Sequence, residues 1–146
     1  MAVKQPKCKP DNYLDIAYKI CYNYFMKGVK ILKKEFINTT IFDKRWAELK
    51  LTDNDLRSLQ NILMQNSSVG DMIEGTGGAY KIRFSIENKG KSGGIRVIYI
   101  NLLKAQRIYF ITCYPKSKQD NLLSNEKAII KEVVKRIISN EREGLQ

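Results

Sequence analysis

An α+β fold is predicted for this 146-residue chain, built on an antiparallel meander of three strands with helices before and after it. Three observations predict it. Apolar residues recur at helical spacing in 11–26, 40–65 and 124–138. Strand-like segments rich in Ile, Val, Tyr and Phe occupy 80–86, 95–103 and 107–114. Those three are joined by close connections, which favours antiparallel pairing.

The first helical segment carries Tyr13, Ile16, Ala17, Ile20, Cys21, Tyr24 and Phe25 on one face, after a Lys/Pro-rich start. Residues 30–37, KILKKEFI, can then form a strand. Thr40-x-x-Asp43 has the form of a capping box and opens a helix with Phe42, Trp46 and Leu49 on one face. Thr52-x-x-Asp55 repeats the device, with Leu51 and Leu56 spaced as a hydrophobic staple. Leu56, Leu59, Ile62 and Leu63 supply the buried face of that helix, which ends near Gln65. Both helices read as scaffold.

The GTGG run at 75–78 supplies turn positions with positive φ. After it, Tyr80, Ile82, Phe84 and Ile86 point one way, and Lys81, Arg83 and Ser85 the other. A first hairpin symmetric about its loop sets Ser85 opposite Arg96. Lys81, Arg83 and Arg96 then share a sheet face with Ile98 and Ile100, so that face needs a partial cover. Ser124 can cap the last helix, whose Ile129/Ile130, Val133/Val134 and Ile137/Ile138 form an apolar stripe.

Charge is the strongest functional signal. Of a net +11, the stretch Tyr80–Lys118 holds nine cations against one acid, Glu87, leaving +8 on the meander. Charge concentrated on one sheet points to a polyanionic partner. No apolar run approaches the ~20 residues that span a bilayer. The start does not read as a secretory signal, because Asp15 and Lys19 interrupt it, and a cytoplasmic location is expected with no membrane partner. Cys8, Cys21 and Cys113 form neither a CxxC pair nor a disulfide framework, and Cys113 reads as a buried strand residue. The chain has no histidine, so the usual general base and the commonest metal ligand are missing. No metal or other cofactor is expected.

Two nucleotide motifs fail. Gly90-Lys91-Ser92 resembles the end of a P-loop, yet the first glycine of that motif would fall on Ser85. Gly75-x-Gly77 lacks the third glycine of a dinucleotide fingerprint, since position 80 is Tyr. The loop 87–94 reads either as a hairpin connection or as a phosphate contact through Lys89 and Lys91.

Lys81, Arg83, Arg96 and Lys116 carry the sharper chemistry. They read either as a solvated face or as a cation cluster in which Pro115 ends the third strand and holds Lys116 beside the arginines. Crowded cations are costly without an anion among them. The phosphorane formed when an RNA 2′-OH attacks its own phosphate suits such a cluster, because guanidinium forks match its equatorial oxygens. A lysine crowded by cations can move protons. Tyr99 and Tyr114 are each either a strand aromatic or a platform for a base.

The runs F-x-K-R-W-x-E-L at 42–49, LTDNDLRSLQNILMQN at 51–66, GDMIEGTGGAYKIRF at 70–84, GKSGGIRVIY at 90–99 and Y-x-K-S at 114–117 resemble the RelE/HigB superfamily of bacterial toxins, with the HigB-like branch nearest. The resemblance covers roughly residues 30–140. It implies a RelE-like α+β fold, a twisted antiparallel sheet packed with N-terminal helices and a C-terminal helix. It also implies the toxin of a type II toxin–antitoxin system that enters the ribosomal A site and cleaves mRNA, inhibiting translation. The implied partners are the ribosome with its mRNA and a cognate antitoxin, often a helix-turn-helix protein, whose complex with the toxin binds operator DNA.

Carried over residue by residue, Lys81 and Arg83 fall on the family's paired strand basics and Arg96 on the arginine opening the next strand. Lys116, and then Lys118, fall on the basics after the third strand. The expected catalytic set is Lys81, Arg83, Arg96 and Lys116, in a metal-independent endoribonuclease; the expected RNA contacts are Lys89, Lys91, Lys118 and Tyr114. Ala79-Tyr80 stands where many HigB-like members have Leu-Arg. Residues 1–29 are expected to form an extension outside the toxin domain at 30–146, with Met26 as an alternative start. Two alternatives stay open: a ParE-type gyrase inhibitor without nuclease activity, and an inactive homologue that only binds antitoxin.

Overall fold

The computed structural model describes residues 34–86, 94–119 and 121–144. The helix expected at 11–26 lies outside them. In chain order the elements are β1 (Glu35–Asn38), α1 (Thr40–Glu48), α2 (Asp53–Gln65), β2 (Asp71–Met72), β3 (Ala79–Phe84), β4 (Ile95–Leu102), β5 (Arg107–Pro115) and α3 (Ser124–Gly144). The strands form one sheet in the order β1-β5-β4-β3-β2.

The expected meander is present: β3 pairs antiparallel with β4, and β4 with β5. Two strands extend it. β2 adds an antiparallel edge on β3, and β1 joins β5 in parallel, which the local pattern did not announce. β1 flanks only Arg107–Phe110 of β5, leaving Ile111–Pro115 beyond its end.

Each sheet face has its own core. On one, Phe42 and Trp46 of α1 and Leu56, Leu59 and Leu63 of α2 pack on Ile82, Phe84, Val97, Tyr99, Ile108, Phe110 and Cys113. On the other, Ile130 and Val134 of α3 pack on Ala79, Ile98, Ile100 and Ile111. On this same face Arg83 is exposed, whereas Arg96 is buried.

The caps show how local chemistry sets the helix ends. Thr52 forms the expected reciprocal box with Asp55, and its neighbour Leu51 packs against the same core as Leu56. For α1 the cap is Thr39 rather than Thr40: its hydroxyl accepts from Phe42 N–H, while Asp43 accepts instead from the Asn38 amide. Ser124 is likewise the first helical residue of α3 and not its cap; the Glu126 carboxylate reaches back to Leu123 N–H at 2.8 Å. Gly75, Gly77 and Gly78 hold positive φ as the GTGG run requires. The buried Thr76 closes that turn, donating to Ile73 O and accepting from Ala79 N–H.

At its distal end α3 is tied down by charge. Arg107 donates to both Glu35 and Glu141, and the Tyr109 hydroxyl donates to Glu141. Among the described residues no helix is long and apolar enough to cross a membrane.

Candidate nucleic-acid interface

Arg83 and Arg96 are directly opposed across the β3–β4 ladder, and Arg96 is in turn opposed by Tyr114 of β5. The expected pairing of Ser85 with Arg96 is therefore off by two residues, because the ladder closes at Phe84–Ile95. A slip of two leaves every side chain on its expected face, since strand side chains alternate with period two. With strands about 4.8 Å apart, the row Arg83–Arg96–Tyr114 spans about 10 Å.

A bulge brings Tyr114 into this row. Strict alternation from Ile108 and Phe110 would send Tyr114 to the face buried under α1 and α2. The register instead shifts between Ile98 and Tyr99, so that Tyr99 opposes Phe110 and Ile98 opposes Thr112. Ile111 is the extra residue. Beyond it the parity reverses: Cys113 joins the α1/α2 core, and Tyr114 packs with the α3 side. Thr39 holds the bulge, its hydroxyl donating to Ile111 O at 2.7 Å.

The two arginines differ in setting. Arg83 is exposed, whereas Arg96 is only 2% exposed, among the largest fully enclosed side chains of the protein. A buried guanidinium on a central strand is held in one place. Like charges directly opposite in a ladder are destabilising unless each is compensated by a partner.

Lys81 lies one pleat along on the same strand. It is half-buried, opposed by Ile98, and its Nζ donates to Asn121 Oδ1 at 3.1 Å. Lys116 is exposed just after Pro115, and its backbone N–H bonds to Gly94 O, next to the start of β4. The structure thus brings Lys81, Arg83, Arg96, Tyr114 and Lys116 to one end of the meander. Lys118 is exposed in the following turn, its N–H bonded to Pro115 O. Lys89 and Lys91 lie outside the described residues.

Other residues that the sequence singled out lie away from this end. Tyr99 is not available to a base. It is fully buried on the opposite face, stacked on Tyr80, with its hydroxyl donating to Ser67 O and accepting from Gly70 N–H. Burial raises its pKa above the usual tyrosine value. Gly70 is required here, because a Cβ would stand 2.8 Å from that hydroxyl. Arg107, counted with the basic stretch, is ion-paired at the far end of β5, and Lys104 sits in the β4–β5 turn. Burial pushes the Cys113 thiol up to about 12, so it stays protonated and serves packing.

Sequence reasoning missed Asn121, whose contact with Lys81 spans forty positions. Nothing in its local sequence marks it. Among the described residues no group of three or more His, Cys, Asp or Glu side chains is arranged to hold a metal ion.

Against known proteins, residues 30–146 match the family model described as the RelE toxin of the RelE/RelB toxin–antitoxin system. Among solved structures, the chain is similar to the intact E. coli RelBE toxin–antitoxin complex at 15% identity and a TM-score of 0.42, covering 56% of this chain and 95% of that one. It is also similar to a doubly substituted E. coli toxin RelE in the free state, at 17% identity and a TM-score of 0.42, covering 59% of this chain and 86% of that one. The family match extends over most of the chain and includes every element from β1 to α3. This chain belongs to the RelE toxin family.

Proposed function

We propose that this toxin is a ribosome-dependent mRNA endonuclease that cuts A-site mRNA during translation. The observation that supports it best is the direct opposition of Arg83 and Arg96, with Tyr114 completing the row. In this reading a nucleotide 2′-OH attacks the adjacent phosphorus in line. The bond to the 5′-oxygen breaks, leaving a cyclic phosphate and a 5′-hydroxyl that takes up a proton. Arg83, exposed, neutralises the equatorial oxygens of the phosphorane directly, and Arg96, enclosed opposite it, adds positive charge from within the sheet. Lys81 and Lys116 share phosphate neutralisation and proton transfer, and Tyr114 offers a ring for a base. Lys118, with Lys89 and Lys91, contacts the flanking backbone.

The nucleophile belongs to the substrate and the charge stabilisation to the protein, so the mechanism is metal-independent and needs no histidine. Orientation for in-line attack comes from the ribosome, and purified toxin should cut free RNA poorly. The toxin works in the cytoplasm, is neutralised by a cognate antitoxin, in our reading a helix-turn-helix protein, and reaches operator DNA only through that complex.

Mapping mRNA 5′ ends after brief induction in translating cells tests the proposal. Cuts at fixed codon positions, abolished in Arg83→Ala/Arg96→Ala, are expected. Full toxicity of that double variant, or growth arrest with intact mRNA and damaged DNA, would overturn it.

A further inference from the structure

Beside the arginine row lies a second, polar cleft of about 260 Å³, lined by Asp71, Met72, Ile73, Glu74, Lys81, Asn121, Leu122 and Lys127. Its position is set by the sheet. Lys81 is one pleat from Arg83 on β3, and Asp71 of the edge strand β2 is its ladder partner. The cleft therefore begins where the arginine row ends, roughly 7 Å along the strand, which is the length of one nucleotide step in an extended chain. Its volume lies just below the ~300 Å³ at which pockets for drug-sized ligands begin. That suits one flat heterocycle.

The chemistry of the lining selects among heterocycles. Asp71 and Glu74 present carboxylates, which accept hydrogen bonds and donate none. Asn121 is oriented by Lys81, whose Nζ occupies its Oδ1, so the amide nitrogen is left to donate. Lys127 adds a cation. Exposed Met72 supplies a polarisable surface against which a ring can lie. Carboxylate acceptors beside amide and ammonium donors match an edge that carries an exocyclic amino group next to an acceptor. Adenine, cytosine and guanine have such an edge. Uracil offers two carbonyl acceptors and one N–H, and would leave a carboxylate facing a carbonyl oxygen.

We infer that the cleft between β2, Lys81 and the segment before α3 is a base-reading subsite, which accepts an amino-bearing base next to the cleaved phosphate and rejects uracil. The inference rests on the nuclease reading above. Asp71 and Glu74 here act on selection between bases, with no part in the bond-breaking step.

The test uses full-length toxin and ribosomes programmed with a series of A-site codons, in which each nucleotide beside the cut is varied in turn. Cleavage is read by primer extension. Wild type should cut the uracil-bearing member at least about fivefold more slowly at one position, the lower bound for a good base-edge contact. Asp71→Asn/Glu74→Gln should abolish that discrimination, bringing the amino-bearing and uracil-bearing members to within about twofold of each other. The control Glu132→Gln/Glu143→Gln removes the same charge from exposed positions of α3, and should leave discrimination intact. An unchanged codon pattern in Asp71→Asn/Glu74→Gln, or an equal change in the control, overturns the subsite while the nuclease reading stands. A wild type that cuts no codon on the ribosome overturns both.

Discussion

The Thr39 hydroxyl donates to the carbonyl of Ile111 at 2.7 Å while accepting from the N–H of Phe42 at 3.2 Å. One side chain therefore starts α1 and pins the bulge that turns Tyr114 toward Arg96. Thr39→Val keeps the shape and deletes both bonds. It should lower stability by about 1–2 kcal/mol, as expected for a lost cap and a buried bond. Its effect on mRNA cleavage should exceed that of Thr52→Val, which also loses a cap but lies far from the bulge. Urea denaturation and ribosomal cleavage assays on both variants decide this; equal loss of activity would separate the bulge from function.

Arg83 and Arg96 share a row yet differ in burial, and their substitutions should diverge accordingly. Arg83→Ala should keep the wild-type melting temperature and cut mRNA about 10²–10³-fold more slowly, by comparison with the loss of one transition-state hydrogen-bond donor. Arg96→Ala should lose a similar factor and also melt earlier, since it empties a position that is 2% exposed. Thermal melts alongside cleavage rates expose the contrast, and a stable, active Arg83→Ala would contradict the assignment.

Tyr114 is proposed to act through its ring. Tyr114→Phe should then retain cleavage within a few-fold, whereas Tyr114→Ala should weaken mRNA engagement by about ten- to a hundredfold, the usual worth of one stacked base. Loss of activity in the Phe variant would assign the role to the hydroxyl.

The Glu141 carboxyl is held below the ordinary glutamate value, first by the Tyr109 hydroxyl and then by Arg107. A depressed carboxyl stabilises the fold above its unfolded pKa and loses that contribution as pH falls through the folded value. Wild type should thus be more stable than Glu141→Gln at neutral pH. The gap should narrow once pH drops below about 4.3, the unfolded value. Tyr109 works in the opposite direction, being pushed up to about 12 by burial and then by Glu141. Stability should therefore decline as pH climbs from about 10 toward 12. Denaturation midpoints across both ranges, for wild type and Glu141→Gln, check the signs.

Much of the scaffold was legible because its causes are local. The Thr52 box needs only four adjacent residues, and the face of Lys81, Arg83 and Arg96 needs only strand parity, which survives a two-residue slip. What stayed hidden has distant causes. The bulge at Ile111 leaves no mark in a run of good strand formers, because it is held by Thr39, seventy-two positions away. Parallel pairing of β1 depends on how α1 and α2 return the chain. The choice of Thr39 over Thr40 as cap follows from that same long-range bond. Asn121 meets Lys81 only after β4 and β5 have folded between them. The cation set came from family resemblance and from charge; its convergence at one end of the sheet came from three-dimensional register.

Among the described residues β1 stops at Asn38, and no strand pairs with the Ile111–Pro115 tip of β5 on that side. Such edges seed aggregation. Here the stub is short, its Ile111 carbonyl is already claimed, and it ends in Pro115, which has no N–H to offer an incoming strand. The residue that terminates the strand beside the arginines thus also withholds the N–H that an added strand would need.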